Sequence, residues 1–277
     1  MSRPKNKTAA RHRNFKWGRR ALRPKMGAFV ITMALWQIVN RWGQHYSRPQ
    51  NFNRLAAALL RWLVPLGWLT LTLALVWGLA FAPADYQQKN SFRIIYIHVP
   101  AAVLSLFIYT VLALAALCHF IWRWPLAGLL ARASAGYGAL MTLLALITGS
   151  LWGKPTWGTY WTWDARLTSE LILLFLYLGY LLLVHSLDER ALAERLAALL
   201  AMVGLINIPI IHYSVQWWNS LHQGATLFKL GAPSIAAPML YPLLLALLAF
   251  FIQYVVYALR QMGNLLLERR MERLLEQ

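Results

Sequence analysis

Two histidines and a run of indoles are the residues of this sequence best equipped for chemistry. His98 lies in Arg93-Ile94-Ile95-Tyr96-Ile97-His98-Val99-Pro100, and His222 in Trp217-Trp218-Asn219-Ser220-Leu221-His222-Gln223-Gly224. Between them, the stretch from Trp152 to Arg166 carries Trp152, Trp157, Trp161 and Trp163 with Tyr160, and closes on Asp164 and Arg166. Two neutral imidazoles can hold a haem iron from opposite faces, and aromatic rings can pack against a flat porphyrin. Haem also carries two propionates, which suit the planar, bidentate guanidinium. Arg93 and Arg166 are each close in sequence to a candidate ligand or to the indole run.

Each of these readings has a plainer competitor. Indoles gather in belts at membrane surfaces, histidines can be ordinary interfacial residues, and the two arginines can meet lipid headgroups. Asp164 reads equally as the N-cap of the next helix or as the group that orients Arg166 or an indole N–H. His212, in Ile211-His212-Tyr213, is placed for a supporting hydrogen bond or for simple packing. His12 and His45 fall in a basic arm, and His119 and His185 near the opposite helix ends. The single cysteine, Cys118, excludes an internal disulfide and a cysteine-based metal cluster, and reads as packing. The sequence shows no nucleophile–base pair, phosphate loop or cysteine motif, so the chain is expected to bind rather than to catalyse.

The elements that must position these residues are membrane helices. With 59% hydrophobic and only 13% charged residues, the chain departs from soluble domains, where about a quarter of residues are charged. Apolar runs near 63–82, 99–121, 133–151, 167–185, 196–215 and 235–259 are long enough to span a bilayer. The fold class predicted is all-α and polytopic, with six transmembrane helices and an outward tryptophan-rich loop. Pro100 suits the first turn of the second helix. A basic, disordered or lipid-lying arm is expected over 1–54, the membrane domain over 55–265, and a C-terminal tail over 266–277. Met26 to Val39 is too short for a comfortable span and lacks a cleavage site after it, so it reads as interfacial; Met26 and Met33 are alternative start sites.

The formal net charge of +18 would point to nucleic acid in a soluble protein. Here most of it lies in the N-terminal arm, which argues for membrane topology instead. Of the 27 basic residues, only Lys89, Arg93, Lys154, Arg166 and Lys229 fall on the side opposite the termini. The positive-inside rule then places both termini in the cytoplasm and the loops carrying His98, the indoles and His222 outside.

The stretch from Trp152 to Arg166 resembles the tryptophan-rich "WWD" signature of haem-handling membrane proteins of cytochrome c maturation. The flanking runs narrow the resemblance to the haem exporter protein C family, CcmC, of the bacterial system I pathway. They are Phe81-Ala82-Pro83-Ala84-Asp85-Tyr86-Gln87-Gln88, Arg93 to Pro100, Trp152-Gly153-Lys154-Pro155, Trp163 to Glu170, and Ile211-His212-Tyr213-Ser214-Val215 with Trp217-Trp218-Asn219. The resemblance covers about 55 to 265; residues 1–50 have no counterpart in a typical member. It implies haem b held by His98 and His222 over Trp152, Trp157, Trp161, Trp163 and Asp164, on the periplasmic face of the inner membrane. It further implies delivery to the haem chaperone CcmE, whose own histidine takes haem covalently, and work beside the ATP-binding-cassette components CcmA and CcmB and the small protein CcmD. The residues alone leave two other classes open: a haem-b redox membrane protein, and a transport permease without haem.

Overall fold

In the computed structural model, residues 33, 36–38, 40–218, 220–222 and 234–275 are described. Most of the basic arm through residue 39, including most of the Met26 to Val39 segment, lies outside the described residues with the expectations placed on it; its last part, 40–54, is described and is largely helical, the first long helix starting inside it at Pro49. The chain divides into Met1–Trp42, described only as helical fragments, and the unit Gly43–Gln277, which holds the bundle.

Helix α1 (Pro49–Val76) opens on a proline, whose missing N–H costs nothing in a first turn. It continues as a π turn over Trp77–Phe81 and stops at Ala82, which Pro83 forces into an extended conformation. A 3₁₀ turn, Asn90–Ile94, feeds α2 (Ile95–Trp122). The helix therefore begins five residues before Pro100 rather than at it, because the preceding turn is already wound. Arg123, left-handed at φ 55°, ends α2, and Pro125 starts α3 (Pro125–Trp157). Gly158, at φ 80°, caps α3 in the left-handed region that favours glycine.

Helix α4 (Ala165–Ser186) follows, then α5 (Arg190–Gly204), α6 (Asn207–Trp217) and α7 (Ala237–Leu275). The last helix runs through the stretch assigned by sequence to a tail. Helices α5 and α6 make one span broken at Leu205 and Ile206. Pro209 lies four residues beyond Leu205 and cannot donate to its carbonyl, which is the physical reason for a break where the sequence reads as continuous. The protein is all-α, and the described residues hold six helical spans long and apolar enough to cross a bilayer.

In lipid every backbone group must be satisfied inside its own helix, so side chains decide how the helices meet. Alanines and glycines bring them close. Ala131, Ala135 and Ala139 of α3 pack with Leu104, Ile108 and Leu112 of α2, and with Ala197 and Ala201 of α5. Tyr177 fills the space left by Gly138, and Tyr109 the space left by Gly204. Up-and-down connections collect the segments after α1, after α3 and before α7 at one end. At the other end Glu194 gathers His119, Arg190 and Arg269.

A side chain at position 138 has nowhere to go but into the Tyr177 ring. Gly138→Val is expected to destabilise the bundle by about 1–3 kcal/mol, as overpacked cores do, seen as a lower unfolding temperature in detergent; an unchanged temperature would contradict this packing.

Candidate functional site

His98 stands in the first turn of α2 and lies against α3. Its Nδ1 is 3.1 Å from the Ala145 carbonyl and 3.1 Å from Thr148 Oγ1. The Thr148 hydroxyl donates to Leu144 O at 2.6 Å, so it presents lone pairs to the ring. Two acceptors facing one nitrogen require that Nδ1 carry the proton. The neutral ring then keeps its Nε2 lone pair free, and Nε2 makes no hydrogen bond among the described residues. Gly149 permits this approach, since a Cβ there would stand 3.0 Å from His98 Cε1. The Trp152 ring meets His98 edge to face at 5.6 Å. Trp152 is itself fixed from the other side: its Nε1 donates to Gln88 Oε1 at 2.7 Å, and Gln88 is held by a turn whose amides donate to Asp85 Oδ1.

His222 is placed by Asp164. Asp164 Oδ1 accepts the Leu167 N–H at 2.8 Å, capping α4, while Oδ2 accepts Ser220 Oγ at 2.6 Å and His222 Nδ1 at 3.1 Å. The N-cap expected of this acid is found, and the group it orients is His222, with no hydrogen bond to Arg166 or to an indole N–H among the described residues. An ionised carboxylate only accepts, so His222 too carries its proton on Nδ1 and turns Nε2 outward as a potential ligand. Trp157 closes on the ring edge to face, centroids 4.7 Å apart.

The electrostatics favour this arrangement. The side chains are 8% exposed for Asp164 and 19% for His222, enough cover for burial to matter. Burial pushes the Asp164 carboxyl up, but the hydrogen bonds from Ser220, Leu167 and His222 outweigh it and leave it below its ordinary value. Burial lowers His222, and the nearby Arg166 charge adds to that, against the opposing pull of Asp164; the net direction is down. His222 is therefore neutral at pH 7, the state in which imidazole ligates iron.

The remaining predicted residues divide. Both imidazoles border the outer part of α3, within electrostatic reach of each other and of Arg166. Arg166 is half-buried, and its guanidinium makes no hydrogen bond or ion pair among the described residues. Arg93 is already engaged: its guanidinium donates to Leu79 O at 2.9 Å and Ala82 O at 2.7 Å, clamping the end of α1. Trp161 and Trp163 pack edge to face on each other at 5.4 Å, with Trp163 exposed and Trp161 Nε1 buried without a partner. His212 is exposed and packs against Tyr213, away from any hydrogen bond to the site. Gln88, Thr148, Gly149 and Ser220 carry positioning roles that spacing does not reveal; of these, Gln88 and Ser220 stood in runs already singled out.

These features define a class: a polytopic helical membrane protein with two imidazoles anchored through Nδ1 and packed against indoles at one end of the bundle. Residues 42–277 match the profile of the heme exporter protein C family, CcmC. The chain is 48% identical over 219 residues to heme exporter protein C of Escherichia coli K12, covering 79% of this chain and 88% of that one. It is 48% identical over 215 residues to the Haemophilus influenzae protein of the same name (78% and 87% covered), and 46% over 228 residues to that of Bradyrhizobium diazoefficiens (82% and 86% covered). The chain belongs to the heme exporter protein C family.

A depressed His222 favours the neutral ring in the folded state, so protonation costs stability as pH falls below the ordinary value of 6.5. Intrinsic amide exchange slows as pH falls, and at His222, whose N–H is held by Ser220 Oγ at 3.1 Å, exchange is expected to slow less than that intrinsic rate between pH 7.5 and 5.5 because protection is lost. Asp164→Asn is expected to give fast exchange already at pH 7.5; a wild-type rate in that variant would show that Asp164 does not anchor the loop.

Proposed function

We propose that the chain binds haem b at the outer end of its bundle through His98 and His222 and delivers it for cytochrome c maturation. The observation that carries this reading is the double tautomer lock. Two rings from distant parts of the sequence both spend Nδ1–H on protein acceptors and both keep Nε2 free, at one end of the bundle. Metal-binding histidines are oriented in this way, their second nitrogen donating to a carboxylate or carbonyl. The surroundings fit the rest of the ligand. Trp152 and Trp157 flank the imidazoles, Trp161 Nε1 has hydrogen-bonding capacity to spare, and the unpaired Arg166 offers a propionate its guanidinium.

Haem is cargo here. The protein's own part is to bind and orient: the indoles exclude water, Asp164 and Thr148 hold the rings, and Arg166 meets the carboxylate, with Arg93 as the second candidate. The recipient we infer is the chaperone CcmE, with energy supplied by CcmA and CcmB and assembly by CcmD. The setting inferred is the bacterial inner membrane, with both termini cytoplasmic and the site periplasmic, in accord with the basic-residue count.

The absorption spectrum of the detergent-purified chain tests this. Wild type is expected to carry haem with a six-coordinate, bis-imidazole spectrum, and His98→Gly or His222→Gly to lose at least about tenfold in affinity, as loss of a ligand or its orienting partner does. Free imidazole in the buffer is expected to restore part of the lost signal. An unchanged spectrum in both variants would dismiss the paired-ligand site, and no haem in wild type would favour the permease. Haem trapped with the chaperone separates delivery from a redox role.

A further inference from the structure

Glu170 is a buried carboxyl inside an apolar span, one helical turn after Arg166 on α4. Ionisable groups buried in membrane helices are expensive and mark function by default. Its Oε1 accepts Ser105 Oγ from α2 at 2.7 Å. Tyr177, two turns further along α4, donates to the Ser105 carbonyl at 2.8 Å and holds that serine in place. Beside it, Asn207 at the α5–α6 break donates to Ser169 O at 2.8 Å, fixing the α4 backbone at this level.

The charge balance shows what this carboxyl is for. Arg166 is the cation within electrostatic reach of Glu170, and Asp164 and Glu170 are the two acids near Arg166. Asp164 already accepts three hydrogen bonds, from Leu167, Ser220 and His222. Glu170 accepts one among the described residues, so it is the acid with capacity left for a guanidinium. Without a counter-charge behind it, a long arginine on an apolar helix turns its head to water. A carboxylate one turn away on the same helix face opposes that.

We propose that Glu170 is a positioning residue, holding the Arg166 guanidinium by charge beside the two imidazoles, where it meets a haem propionate. The proposal rests on the haem-binding reading above and names the residue that gives the site its preference for a carboxylate-bearing cargo. Ser105 sets the direction of the carboxyl, and neither residue touches the cargo.

The test compares two cargoes, haem and haem dimethyl ester, which lacks the propionate charges. Affinities are titrated spectrophotometrically on the purified full chain as wild type, E170Q, R166Q and the double variant, with Ser105→Ala as a milder perturbation should E170Q fail to fold. Wild type is expected to prefer haem over the ester. E170Q is expected to cut that preference about tenfold, the scale on which second-layer partners act, while binding of the ester stays within about twofold. Adding E170Q to R166Q is expected to cost nothing more, as two groups acting through one contact require. Equal weakening of both cargoes would make Glu170 merely structural and overturn the proposal, as would additive losses in the double variant. A wild-type chain whose haem is indifferent to His98 and His222 would instead defeat the functional reading, and this proposal with it.

Discussion

One carboxylate ties together two stretches of the chain that are distant in sequence. Asp164 caps α4 through Leu167, pins Ser220 and fixes His222. Buried polar groups are costly unless each finds a partner, and here a single acceptor satisfies three donors. Because an ionised carboxylate cannot donate, it also decides which nitrogen of His222 carries the proton. The loop after α6, the start of α4 and the chemistry of the ring are thereby one structural event. His98 reaches the same state by another route, from a helix carbonyl and a hydroxyl whose own proton is already spent.

The bilayer imposes the rest. Backbone satisfied within helices leaves little for the interior to do except pack, and small residues at the crossings let it pack closely. The ionisable side chains inside the bundle are gathered near its ends. At the site end Arg166 and Glu170 share a face of α4 and make no direct ion pair among the described residues. At the other end Glu194 is closed off by His119, Arg190 and Arg269. The contrast is between an ionic knot that holds helices together and a charge left available.

Much of this was legible in the sequence. Six apolar runs announced six spans because hydrocarbon thickness sets a length that composition alone can meet. His98, His222, Asp164 and Arg166 stood out because polar residues beside indoles are conspicuous in so apolar a chain. The break at Leu205 and Ile206 was not legible, although Pro209 was visible, since prolines elsewhere in this bundle sit inside unbroken helices. Arg93 offered the same spacing as Arg166 but folds back onto two carbonyls of α1. The four tryptophans, alike in sequence, separate into two that pack on imidazoles and two that pack on each other.

Sequence by itself determined the number of spans, the end at which the polar loops gather, and the inventory of groups able to hold a large planar ligand. Those follow from residue type and run length, which are local quantities. Tertiary structure alone decided that Thr148 and Asp164 would each take an Nδ1 proton, that Gln88 would steady Trp152, and that Ser105 would meet Glu170. Each of these is a contact between helices or loops distant along the chain, and it exists only once packing has brought a donor within 3 Å or so of an acceptor.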